Sequence, residues 1–119
     1  MAAALAMLGL AGTSAASAAP ATSVQIEVSF LLGYVEGSGC DFQRNGSWYG
    51  SPAAQEHLRA KYDYLAARDL IQTTEQFIDK AATESSLSGQ PYRVRCHGGP
   101  LMTSQQWLLD ELARLRSTR

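Results

Sequence analysis

Two cysteines, Cys40 and Cys96, follow an alanine-rich and uncharged beginning of the chain, and this combination constrains the fold more than any other feature. The beginning contains a short apolar stretch around Leu8 and ends in Ala16-Ser17-Ala18, a small-x-small pattern typical of signal-peptide cleavage. Export leads to an oxidising compartment, where two thiols in a small domain usually form one disulfide. We therefore predict a signal peptide over residues 1–19, a periplasmic location after transport across the inner membrane, and a Cys40–Cys96 disulfide.

The apolar beginning has an alternative interpretation, because no Lys or Arg precedes it. It would then be an alanine-rich tail on a cytoplasmic protein. In either case the stretch is too short to span a bilayer as a lasting helix, and no second apolar run of that length follows. We expect no stable membrane span once the leader is removed, and a single globular domain over residues 20–119.

The charge balance and the scarcity of ligating residues exclude several classes of function. Ten basic and eleven acidic residues give a formal net charge of -1, whereas a nucleic-acid binder shows a clear basic excess. The two histidines, His57 and His97, are too few for a metal site when both thiols are paired in a disulfide. Glycine patterns that cradle phosphates are absent. We expect no nucleic acid, no metal and no cofactor.

Hydrophobic spacing and capping residues predict four helices. Thr and Gln stand three residues apart, as at many helix N-termini, beginning at Thr22, Thr73 and Thr103, and Ser51-Pro52 suits an N-cap and first helical position. The predicted helices run from about Ser23 to Val35, from Ser51 to about Leu70, from Thr73, and from Thr103. The first is apolar around most of its circumference, so we expect it to be central and mostly buried. Its β-branched residues leave a strand as the alternative.

Two segments around the cysteines are typical of strands. Asn45-Gly46 favours a type I′ hairpin turn between Cys40 and Tyr49, because both residues tolerate positive φ. The segment Tyr92 to Cys96 alternates apolar residues with arginines. The residues expected on the core side are Cys40, Phe42, Val94 and Cys96. The sequence thus predicts an α+β fold, a single small domain of about four helices with a two- or three-stranded antiparallel sheet and one disulfide.

Three hydroxyls in Ser85-Ser86-Leu87-Ser88 lie where a helix ends and a strand begins. Such hydroxyls commonly bond loose backbone groups and shape a turn. A second interpretation is a ligand-binding loop. The third is catalysis, with one serine as nucleophile and His57 or Lys61 as base, although the chain lacks the G-x-S-x-G elbow.

Three basic side chains are candidates for an anion site. His57 and Lys61 are one helical turn apart and therefore share a helix face. In one interpretation they bind an anion or a carbonyl group over a cleft. In the other, His57 is a partly buried side chain and Lys61 is a solvated charge. Arg44, next to the hairpin turn, carries a guanidinium that matches carboxylate and phosphate geometry.

Several of these residues also carry a family resemblance. The motifs are Cys40-x-Phe42-x-Arg44-Asn45-Gly46, His57-Leu58-x-x-Lys61-Tyr62, Phe77-Ile78, Ser85-Ser86-x-Ser88-Gly89-x-Pro91-Tyr92 and Trp107-Leu108. From about Val28 to Arg116 the chain resembles the YfeK-like family, small exported bacterial proteins that carry a domain of unknown function. The resemblance implies a periplasmic protein and implies no activity.

Together these features predict a non-catalytic envelope protein that binds a small polar or anionic ligand, a peptide or a protein partner. We assign no catalytic residue. The residues expected to line one shared ligand-binding surface are Arg44, Asn45, His57, Lys61, Ser85, Ser86, Ser88 and Tyr92. The alternative is a small serine-dependent hydrolase or transferase that uses Ser85, Ser86 or Ser88 with His57 or Lys61.

Overall fold

The structure is a computed structural model and describes residues 19–119. The predicted signal peptide lies outside the described residues, except for Ala19. The elements are α1 (Thr22–Gly37), β1 (Asp41–Arg44), β2 (Ser47–Tyr49), α2 (Ser51–Ala66), α3 (Thr74–Ala81), β3 (Arg93–Arg95), β4 (Met102–Thr103) and α4 (Ser104–Ser117). The predicted α+β fold with four helices and an antiparallel sheet is confirmed. No helix within residues 19–119 has the length and apolarity needed to cross a membrane.

The sheet has the strand order β2-β1-β3-β4, with all neighbours antiparallel. The Asn45-Gly46 turn forms as predicted, with φ of 52° and 80°, and joins β1 to β2. The expected strand number was too low, because β4 pairs Met102 with Val94. A two-residue strand such as β4 leaves no period to detect in the sequence.

The disulfide between Cys40 and Cys96 is present, with the two Cα atoms 4.3 Å apart. Its position follows from the sheet register. Asp41 in β1 pairs with Arg95 in β3, so the next residues outward on these antiparallel strands are the two cysteines. The disulfide links the ends of β1 and β3, and Cys40 follows the C-terminus of α1 by three residues.

The core lies between α1, the other three helices and the inner face of the sheet. Its fully buried side chains include Leu31, Phe77, Ile78 and Leu108. Trp107 of α4 joins the helical and sheet layers, since its ring lies 5.5 Å from that of Phe42 and 4.7 Å from that of Tyr34, centroid to centroid. Helix α1 is central, but it is not buried all round, because Ile26 and Phe30 are 61% and 40% exposed.

The capping predictions hold for α3 and α4 and fail for α1 and α2. Thr73 and Thr103 accept hydrogen bonds from the amides three residues on. Thr22 instead lies inside α1, whose N-cap Ala21 has no capping side chain. The N-cap of α2 is Gly50, and Ser51 is already helical. Here the Ser51 hydroxyl donates to the Cys40 carbonyl, so tertiary contact replaces capping.

Helix α2 ends four residues earlier than predicted. Asp69 adopts φ of 60°, and the amide of Leu70 bonds to the carbonyl of Leu65 while that of Asp69 bonds to Ala66. These two bonds define a Schellman motif, in which a residue in the left-handed region ends the helix. Glycine usually occupies that position, so the sequence carries little signal for it.

Candidate functional site

Four side chains from three segments meet beside the hairpin, and we call them the Tyr92 cluster: Arg44, His57, Lys61 and Tyr92. Arg44 Nη1 lies 2.9 Å from His57 Nδ1. His57 Nε2 lies 2.9 Å from the Tyr92 hydroxyl oxygen, and Lys61 Nζ lies 3.1 Å from the same oxygen. The Tyr92 hydroxyl is therefore the point at which the imidazole and the lysine converge.

Local structure explains why these residues meet. Arg44 is the last residue of β1, directly before the hairpin turn. His57 and Lys61 project from one face of α2, and a single residue separates α2 from the end of β2. Tyr92 directly precedes β3, the strand that pairs with β1, and its ring is buried with only 6% exposure.

The hydrogen-bond partners constrain the protonation of His57. Arg44 can only donate hydrogen bonds, and its Nη1 lies 2.9 Å from Nδ1 and 3.2 Å from Nε2 of the ring, so the imidazole accepts from it and is neutral. Lys61 also only donates, so the Tyr92 oxygen accepts from Lys61. The direction of the hydrogen bond between His57 Nε2 and the Tyr92 hydroxyl depends on the tautomer.

The electrostatic environment favours the neutral imidazole. Burial lowers the pKa of His57 below its usual 6.5, and the charges of Arg44 and Lys61 lower it further. Burial and Arg44 also lower the pKa of Lys61, against a smaller opposing effect of Glu84. Burial raises the pKa of Tyr92, so the phenol stays protonated.

The two cations of the cluster lack acidic partners. Among residues 19–119, neither Arg44 nor Lys61 lies within 4 Å of a carboxylate oxygen. Lys61 instead donates to the Glu84 carbonyl at 3.1 Å. The Arg44 guanidinium also donates to the Tyr49 hydroxyl at 3.3 Å and lies 4.9 Å from the centroid of that ring. Positive charge is thus concentrated without local neutralisation.

A cleft of about 180 Å³ opens beside this cluster, between the hairpin and α2. Apolar groups form much of its wall, and the polar groups include Arg44, Tyr49, His57 and Tyr92. The remaining lining residues are Phe42, Gln43, Ala53, Ala54, Leu58 and Ser104. A concave apolar site with a few convergent polar groups is the usual form of a small-molecule pocket.

The other residues predicted for the site do not all lie beside the Tyr92 cluster. The Ser88 hydroxyl donates to Asn45 Oδ1 at 2.5 Å, which joins the serine loop to the hairpin turn beside the cluster. Ser85 is buried, and its hydroxyl accepts from the amides of Leu87 and Ser88. Ser86 is exposed and lines a separate depression with Ser85, Lys80 and Glu84. A ligand-binding role for all eight residues stays a prediction.

The serine loop has the contacts of a structural turn. Ser85 Oγ bonds to backbone amides, and Ser88 Oγ bonds to Asn45 and to the Gln90 amide. Within the described residues, no serine hydroxyl of this loop is hydrogen-bonded to His57 or Lys61, which both contact Tyr92. The pairing of nucleophile and base that a serine enzyme needs is therefore not formed here. In the same part of the chain no three His, Cys, Asp or Glu side chains are grouped to hold a metal ion.

Comparison with known proteins places the chain in a family. The model of a family of unknown function, DUF5329, matches residues 22–116. The chain belongs to this family. It is also 47% identical over 51 residues to the uncharacterized protein YfeK of Salmonella typhimurium, a match that covers 43% of this chain and 41% of that protein. No solved structure matches the chain.

Membership of this family confirms the resemblance predicted from the sequence and brings no activity with it. The site therefore has to be interpreted from its own geometry. Two of its residues escaped sequence analysis. Tyr49 was assigned only to the hairpin, and Ser104 carried no signal beyond its place at the start of a capped helix. Tyr49 reaches the cleft through its pairing with Phe42 across the hairpin, and Ser104 through the pairing of Thr103 with Arg93.

Proposed function

We propose that this protein is an exported, non-catalytic binding protein whose cleft takes a small anionic ligand. One observation supports the proposal most strongly. Arg44 and Lys61 carry positive charge with no carboxylate partner within residues 19–119, and they converge on a phenol and a neutral imidazole at a cleft with largely apolar walls. Unpaired, partly buried cations are costly for a fold, so their retention favours a ligand that supplies the negative charge.

The donors available favour a carboxylate. Arg44 offers a planar guanidinium suited to two parallel hydrogen bonds, and in the tautomer with Nε2 protonated the Tyr92 hydroxyl adds its own proton. Arg44 also contacts Tyr49, which holds the guanidinium in the cleft wall. Because the rest of the lining is largely apolar, the ligand body is expected to be apolar or only weakly polar.

Binding of short-chain carboxylates to the mature chain tests the proposal. Chemical-shift titration or calorimetry with a series of carboxylates, and with inorganic phosphate, would measure Kd for each. Arg44→Gln should weaken carboxylate binding by about tenfold, since hydrogen bonds to charged groups are worth about 1.5–3 kcal/mol. Arg68→Gln is the matched control. Arg68 lies just after α2, does not line the cleft and stacks on Tyr64. No measurable binding of any anion, or equal effects of both variants, would overturn the proposal.

Export is proposed on separate grounds. The uncharged, apolar beginning of the sequence and the Cys40–Cys96 disulfide both suit an oxidising compartment. Cell fractionation of the full chain, with intact-mass analysis, provides the test. We expect a processed form beginning near residue 20 in the periplasmic fraction, 2 Da lighter than its reduced form. A full-length cytoplasmic product with two free thiols would contradict export.

A further inference from the structure

We propose that Ser104 is a second recognition point in the cleft, so that the ligand is a short carboxylate with an additional hydrogen-bonding group a few bonds from the carboxylate. This inference rests on the proposed function and specifies the ligand class. It makes Ser104 a specificity-determining residue at the opposite end of Tyr92 from the Arg44 charge.

The first observation is the state of the Ser104 hydroxyl. Ser104 is only 2% exposed, yet no hydrogen bond joins its hydroxyl to any group in residues 19–119, and the bond it forms outside α4 is from its backbone amide. The hydroxyl is not sealed from solvent, since no fully enclosed side-chain oxygen there lacks a partner. Ser104 lines the cleft, so its free hydroxyl opens into that space.

The other buried hydroxyls show how unusual this is. Ser51 donates to the Cys40 carbonyl, Thr74 donates to Glu27, and Ser85 accepts from two amides. Ser104 is the member of this set with no protein partner for its hydroxyl in residues 19–119, and solvent in the cleft reaches that hydroxyl. The hydroxyl is therefore free to bond a molecule bound in the cleft.

The second observation is the relation of Ser104 to the Tyr92 cluster. The Ser104 amide donates to the Tyr92 carbonyl at 2.9 Å, while the Tyr92 phenol reaches His57 and Lys61. Tyr92 thus connects the two polar ends of the cleft, one at its carbonyl and the other at its phenol. Apolar residues including Phe42 and Leu58 complete the wall.

The size of the cleft limits the ligand. A volume of about 180 Å³ corresponds to roughly six water-sized groups, since a water molecule takes about 30 Å³ in the liquid. The cleft presents a cation, an apolar wall and a hydroxyl. They suit a ligand with a carboxylate at Arg44, three to five methylene groups along the wall, and a hydroxyl or carbonyl at Ser104.

An isosteric ligand pair tests the inference. Pentanoate and 4-hydroxybutanoate have the same number of non-hydrogen atoms and differ in a terminal methyl against a hydroxyl. Kd for both, and for the homologous pairs one carbon shorter and longer, would be measured by chemical-shift titration with the wild type and with Ser104→Ala. One net hydrogen bond of about 1 kcal/mol corresponds to roughly fivefold in Kd, so in at least one pair the wild type should favour the hydroxy acid by about that factor.

Ser104→Ala should abolish this preference and leave binding of the simple carboxylate unchanged. The substitution should not unfold the protein, because the hydroxyl it removes has no protein partner; a melting temperature equal to that of wild type checks this. Ser29→Ala, at an exposed position of α1, should keep the preference. Equal Kd values for both members of every pair, or a preference that survives Ser104→Ala, would overturn the role of Ser104 while the anion site stands. If the wild type binds no member of any pair but binds another anion, this inference fails and the anion site stands; if it binds no anion at all, the proposed function fails as well.

Discussion

Glu27 in α1 accepts two hydrogen bonds from Arg116 in α4, 89 residues away in sequence, each 3.0 Å long. Glu27 is only 5% exposed. Thr74 of α3 and Arg119 also donate to its carboxylate, and Arg116 reaches Glu75 as well. The arginines near the C-terminus are thus held in ion pairs that fasten the end of α4 to α1 and α3. These ion pairs explain the positions of Arg116 and Arg119 without a bound anion.

Acid stability should depend on Glu27. Hydrogen bonds from Arg116 and Thr74, together with the arginine charges, lower its pKa from 4.5 to about 2 against the opposing effect of burial. A carboxyl with a lowered folded pKa stabilises the fold above its unfolded pKa, and this stability is lost as pH falls through the folded pKa. Glu27→Gln should therefore cost about 3 kcal/mol in free energy of unfolding at pH 7 and under about 0.5 kcal/mol at pH 2.

Urea denaturation at several pH values would measure this difference. Glu36→Gln is the matched control, since Glu36 lies exposed on the same helix. An equal cost of the two substitutions, or a Glu27→Gln cost independent of pH, would contradict the assignment.

The disulfide should supply a large share of stability. Cys40 and Cys96 are 56 residues apart in sequence, and the chain-entropy model gives about 4 kcal/mol for a loop of that length. A domain of this size has a total of roughly 5–15 kcal/mol. Denaturation of the Cys40→Ser, Cys96→Ser double variant should show a loss of about that size. A loss below about 1 kcal/mol would contradict this prediction and would mean that the unfolded chain is conformationally restricted even without the disulfide.

The sequence predicted the core-facing residues of the two central strands because two independent signals agreed. Alternation placed Cys40 and Phe42 of one strand and Val94 and Cys96 of the other on the core side, and the predicted disulfide brought the two strands together. The capping pairs at Thr73 and Thr103 were equally local and equally reliable. The pair at Thr22 has the same spacing but fails, since Gln25 donates to the Pro20 carbonyl instead, and nothing local distinguishes the two cases.

The candidate site was only partly predictable. The shared face of His57 and Lys61 follows from helix geometry, and the loop hydroxyls indicated a turn. The convergence of both residues on Tyr92 depends on how β3 sits against α2, which no local pattern encodes. Glu27 was missed for the same reason, because a single acidic residue in an apolar helix gives no indication of partners almost ninety residues away.

Two serines of the loop should respond differently to alanine. Ser85→Ala removes the buried acceptor of two backbone amides and should cost about 1 kcal/mol in free energy of unfolding. Ser86→Ala removes an exposed hydroxyl and should change it by less than about 0.5 kcal/mol. Thermal unfolding of both variants measures this. Ester hydrolysis by the wild type that disappears in Ser86→Ala with unchanged stability would instead favour the serine-dependent enzyme.

The protonation of His57 should depend on its cationic neighbours. Because burial, Arg44 and Lys61 lower its pKa, the imidazole resonance should titrate below pH 6.5 in NMR spectra. Arg44→Gln and Lys61→Met should each shift the midpoint upward, since each removes a positive charge. A basic group with a lowered folded pKa favours the fold above its unfolded pKa, so stability should fall as pH drops below 6.5.

Replacing His57 by Gln should remove this part of the pH dependence, which denaturation between pH 5 and pH 7 would detect. A His57 midpoint at or above 6.5 in the wild type, or one that neither substitution moves, would show that the two cations do not act on the imidazole as the contacts indicate.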